Sequence, residues 1–98
     1  MMSLFVLLVN NNITYYTGDR VMDLKKQILK DLSEMDGREV NDKYNDIYEQ
    51  YKIAVAELQR DGFIVGATVF YYENTQEPEV VSLKAAELTQ KGRELLGI

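Results

Sequence analysis

An α+β fold is predicted by three features of this sequence. Residues 57–83, ELQRDGFIVGATVFYYENTQEPEVVSL, begin as the end of a helix and stop at Asp61-Gly62. A run of β-branched and aromatic residues follows and turns back on itself, the signature of a β-hairpin. Residues 87–96, ELTQKGRELL, then form a strand-to-helix junction. Helix, hairpin and closing helix in that order make the back half of a winged helix, a helix-turn-helix followed by an antiparallel β-hairpin wing.

Ninety-eight residues, 46% hydrophobic and 28% charged, suit one small domain with a single core. The chain has neither cysteine nor histidine, which removes disulfides, thiolate metal sites and the commonest general base. A cytoplasmic domain without metal or cofactor is the expectation. The net charge of −5 is spread along the chain and gives no overall attraction to polyanions.

The apolar run at residues 4–9 is far shorter than the roughly 20 residues a membrane-spanning helix needs, and it lacks the flanks of a secretory signal. It reads as a β-strand closed by Asn10-Asn11-Asn12, with Ile13-Thr14-Tyr15-Tyr16 as its partner. An alternative carries equal weight. Thr17-Gly18-Asp19 is compatible with codons that resemble a ribosome-binding site, which would make Met22 the natural start. Residues 1–21 are therefore set apart as an extension and 22–98 as the winged-helix domain.

Asp23 is the expected cap of a first helix over 23–35, with Leu24, Ile28, Leu29, Leu32 and Met35 on its apolar side. Lys25, Lys26, Lys30, Asp31 and Glu34 fall on the other side, and Asp36-Gly37 supplies the stop. Arg38-Glu39-Val40 is read as a short extended segment, and Asn41 or Asp42 as the next cap. From Tyr44 the helical period holds to Arg60, so one helix fits as well as two broken at Asn45-Asp46. The break is preferred, with a helix over 47–61. Strands are predicted over 63–72 and 79–83, with Gly66 marking a bulge or close backbone approach. Thr89 caps the last helix, 89–96, and Gly92 within it costs about 1 kcal/mol relative to Ala unless another backbone packs there. Leu24, Ile28, Leu32, Tyr51, Val55, Leu58, Ile64 and Leu95 are the expected core.

The 87–96 run resembles the L-T-x-K-G-x-x-x-L junction after the wing of many bacterial winged-helix proteins. Ile28-Leu29-Lys30, the corner at 58–66 (LQRDGFIVG) and residues 87–92 together resemble the YjcQ family, small bacterial and phage proteins of unknown function. The resemblance spans about residues 22–96 and implies helices with a small antiparallel sheet. It brings no catalytic or ligand-binding residue, and it adds a phage-associated structural role, in the head, as one outlet for protein contact. The chain departs from the pattern in its N-terminal extension, its shorter 37–62 span and its end at Ile98.

Catalysis is not expected. Ser3, Ser33 and Ser82 have no histidine to activate them, and no glycine-rich loop opens a helix. Two binding classes stand nearly level. A helix-turn-helix would carry its second helix into the major groove, where Gln50 could read adenine and Lys52 or Arg60 hold phosphate. Glu49 and Glu57 would oppose this, and an ordinary solvated helix face explains the same residues. The competing class is a protein-interaction module using Phe70, Tyr71 and Tyr72, since tyrosine is enriched at interface hot spots. Tyr48 is assigned to the core. A homodimer through the N-terminal strands or the sheet is a further arrangement open to the chain.

Overall fold

The computed structural model describes residues 18–98 and the strand segments Val6–Val9 and Asn12–Tyr15, with side chains from Asp23 onward. In order come β1 (Val6–Val9), β2 (Asn12–Tyr15), α1 (Gly18–Glu34), α2 (Gly37–Lys43), a 3₁₀ turn (Asn45–Ile47) and α3 (Tyr48–Arg60). They are followed by β3 (Ile64–Val65), β4 (Thr68–Tyr71), β5 (Pro78–Ser82), β6 (Glu87–Leu88) and α4 (Gln90–Leu96). The strands form three two-stranded antiparallel sheets, β1–β2, β3–β6 and β4–β5. The architecture is a small α+β domain.

β1 and β2 pair as the sequence suggests, Val6 opposite Tyr15 and Val9 opposite Asn12. Among the described residues they share no ladder with the other sheets. The first helix corrects the sequence reading at its start: α1 begins at Gly18, so Asp23 lies inside it and caps nothing. Nothing in Gly18-Asp19-Arg20-Val21-Met22 breaks a helix, and an acidic residue in the first turn favours one. The helix thus runs across position 22 without interruption.

Residues 38–40 are helical, not extended. Asp36 is the cap of α2, its side chain accepting from the Arg38 N–H at 3.0 Å, so neither Asn41 nor Asp42 starts a helix. Gly37 is needed for contact and not for a left-handed stop. A Cβ there would collide with the Leu83 carbonyl. The preferred break is present: the Asn45–Ile47 turn separates α2 from α3.

The predicted strand 63–72 is two strands with different partners. Gly66 takes φ +85 and turns the chain, so β3 pairs with β6 while β4 continues against β5. A Cβ at Gly66 would collide with the Ala85 carbonyl, the close approach its position suggested. In the β4–β5 hairpin Val69 faces Val81 and Phe70 faces Val80, with a register shift before Tyr71 opposite Pro78. Gly92 in α4 sits against the Phe63 carbonyl, where a Cβ would not fit, which accounts for a glycine in mid-helix.

The core lies where α1, α2 and α3 meet the hairpin. Ile28, Leu29, Val40, Tyr51, Val55, Leu58, Ile64 and Leu83 are each no more than 2% exposed. Leu24, Leu32 and Leu95 pack on its margin, as does Tyr48. Among the described residues no helix is long and apolar enough to cross a membrane.

Candidate functional site

α3 presents the residues that the sequence nominates for nucleic acid, and the structure pairs all of its charges. Lys52 is 4% exposed, not solvent-facing. Its ammonium meets the Glu49 carboxylate at 3.0 Å and lies 5.4 Å from the Tyr48 ring and 5.9 Å from the Tyr72 ring. The hydrogen bond to Glu49 pushes the Lys52 pKa up, so the group is a fixed cation already engaged. Glu57 does not project toward solvent as a repelling charge: Lys25 of α1 holds it at 2.6 Å. Arg60 is exposed, but its Nε and a terminal nitrogen donate to the Asp61 carboxylate at 3.1 and 3.3 Å. Gln50 is half-buried and has an intramolecular partner. The sequence could not show these pairings, because Lys25 is 32 positions from Glu57 and Tyr72 is 20 from Lys52.

The hairpin is different. Phe70 is 62% exposed, Val80 45%, Tyr71 44% and Tyr72 42%. Phe70 and Val80 stand opposite each other in register, while their neighbours Val69 and Val81 turn inward. One side of the ribbon is therefore core and the other an apolar face toward solvent.

The two edges of this ribbon are unlike. On the β5 edge the Tyr48 hydroxyl donates to the Val81 carbonyl at 3.4 Å and lies 3.2 Å from the Val81 N–H as its acceptor. Asn41 Oδ1 accepts from the Leu83 N–H at 3.0 Å and from the Tyr51 hydroxyl at 2.6 Å, while Asn41 Nδ2 donates to Ser82 Oγ. Val81 thus points its backbone groups away from β4, and by antiparallel alternation Val69 points its own outward on the far side. Ala67, Val69 and Tyr71 line that β4 edge. The Gln59 amide closes it at Ala67, accepting from the N–H at 2.7 Å and donating to the carbonyl at 3.0 Å. Beyond Ala67, at Val69 and Tyr71, no hydrogen bond closes the edge among the described residues.

A buried polar cluster that the sequence reading missed fixes α2 beneath the ribbon. Asp31, placed by spacing on the solvent side of its helix, is 2% exposed. It accepts from the Tyr44 hydroxyl at 2.5 Å, the Lys43 ammonium at 2.9 Å and Gln27 at 3.0 Å. Burial pushes its carboxyl pKa up, and these donors outweigh that, leaving it below the ordinary value. Tyr44 stacks on Tyr51 at 5.3 Å, and burial raises the pKa of both phenols. The signal was the Lys43-Tyr44 pair, an anchor for one carboxylate if α2 is helical. Reading 38–40 as extended hid it.

A shallow cleft between α1 and α4 is lined by Asp23, Lys26, Gln27, Lys30, Leu95 and Leu96, with no convergent acid–base set. Among the described residues no three acidic side chains gather as a metal site would require. The chain matches no protein-family model, no curated protein and no solved structure.

Proposed function

We propose that this chain is a winged-helix domain, related to the YjcQ family, that binds another protein through its hairpin and does not rely on duplex DNA. The observation that carries this reading is the exposed Phe70–Val80 pair within residues 61–83, a span with four carboxylates and no lysine or arginine. DNA binders gain affinity by neutralising phosphates. Here Lys52 is buried, Arg60 is paired with Asp61, and the wing loop brings Glu73 and Glu77. The exposed Tyr71 and Tyr72 beside this pair suit a protein interface, tyrosine being enriched at binding hot spots. No reaction is assigned to the chain.

Two measurements test the reading. Titration of random duplex DNA at low and physiological salt should show affinity weaker than the roughly 10⁻⁴–10⁻⁶ M of ordinary non-specific binders. A photo-crosslinking phenylalanine analogue at position 70, in cells that make the protein, should yield a discrete protein adduct that the same group at Glu94 does not. Micromolar duplex binding with a steep salt dependence, and no adduct at position 70, would overturn it.

A further inference from the structure

The β4–β5 ribbon has one sealed edge and one open one, and the charges on its own strands and loop are of one sign. Tyr48 occupies the outward hydrogen-bonding groups of Val81 in β5, and Asn41 takes the N–H of Leu83 just past the strand's end. Gln59 occupies those of Ala67 at the base of β4. The sequence adds a second contrast. Natural sheets protect edges with proline, charge or a covering element. β5 carries Pro78 and Glu79, whereas Thr68-Val69-Phe70-Tyr71 carries no proline and no charge. We infer that the open edge of β4 at Val69 and Tyr71 receives an extended peptide segment of a partner, apolar at alternate positions and flanked by basic residues. This deepens the proposed protein contact and rests on it.

The basic flanks follow from complementarity. Glu73, Glu77 and Glu79 lie around the tip of the hairpin, with no cation between Arg60 and Lys84, while Asp61 at its base is already neutralised by Arg60. A second copy offering the same ribbon would bring carboxylates against carboxylates, which argues against self-pairing as the occupant. The alternating apolar positions follow from geometry. An added strand continues the faces of the ribbon, so every second side chain extends the exposed Phe70–Val80 surface.

The probe is a labelled peptide that alternates valine and threonine between paired lysines, titrated against the full chain. Binding is expected, and it should weaken several-fold as sodium chloride rises from about 50 to about 500 mM. Replacing the lysines with glutamates should cost at least about ten-fold, from the loss of attraction and gain of repulsion. N-methylation of alternate peptide amides should abolish binding in one register and leave it within about two-fold in the other, because only one set of amides faces β4. This comparison leaves the protein unchanged, so misfolding cannot mimic it. Phe70→Ala should also lower affinity several-fold. Equal sensitivity to both methylation patterns, or tighter binding of the glutamate peptide, would overturn the inference. No peptide binding together with a position-70 protein adduct would overturn strand addition while the protein-contact reading stands. A dimer in sedimentation that Phe70→Asp dissociates would make a second copy the occupant and overturn it as well.

Discussion

Asp31 keeps its charge at 2% exposure because three donors surround it, and the acid stability of the domain should show this. Its folded pKa is depressed, so the unfolded chain takes up the proton first on acidification. The contribution is fully present above the unfolded value of about 4 and is lost as pH falls through the folded value. Asp31→Asn should lower stability near neutral pH by about 2 kcal/mol and flatten the acid limb of a urea-midpoint profile. An unchanged acid limb would mean that another carboxylate governs it. Gly92→Ala tests a second residue. In an open helix this change gains about 1 kcal/mol, but here the added Cβ meets the Phe63 carbonyl. Chemical denaturation should show a loss of about 2 kcal/mol instead. At this scale Gly66 and Gly92 were legible, since they occupy positions where their lack of a side chain stood out, whereas Gly37 was read as a stop and serves a close contact. Lys52 was not. Period alone placed it outward, and its burial depends on Tyr72, which arrives from the hairpin.

The elements are held together by side chains that stand in for missing backbone partners. Tyr48 bonds both backbone groups of Val81, and Gln59 both of Ala67. Tyr48→Phe keeps the ring and removes the hydroxyl, leaving that N–H and C=O without their partner. The cost should be about 2 kcal/mol, with faster amide exchange at Val81 and little change at Leu29, in α1. Uniform acceleration at both sites would instead indicate global loosening. α3 and α4 were legible almost to the residue because apolar period, glycine stop and threonine cap agree there. α2 was not, because Gly37 reads as a stop and its helix is only seven residues long. The split of β3 from β4 was half-visible. Gly66 marked the place, but only the partner strand β6 shows that the chain changes sheets.

For the molecule as a whole, the described core runs from α1 to α4. A chain starting at Met22 loses β1, β2 and the first turn of α1 while keeping Ile28, Leu29 and the rest of that core. It should therefore fold, with Tm lower by about 5 °C, equivalent to about 1 kcal/mol in a domain of this size. A fall beyond about 15 °C by calorimetry would show that the first hairpin supplies core contacts. Helices with a small antiparallel hairpin were legible from order, since β4 and β5 are consecutive strands that pair, whereas the pairing of β3 with β6 across that hairpin was not.

The unlike edges of the β4–β5 ribbon also set its valence. A sheet with two open sides behaves as a bifunctional monomer and can grow without limit, whereas this ribbon has a functionality of one. A strand that joins β4 finds Tyr48 and Asn41 across the ribbon, and the addition is not repeated there. The ribbon is in this sense a chain terminator. Tyr48→Phe combined with Asn41→Ala would open the second valence, and titration of that variant with the lysine-flanked peptide should approach two peptides per chain where the parent saturates at one.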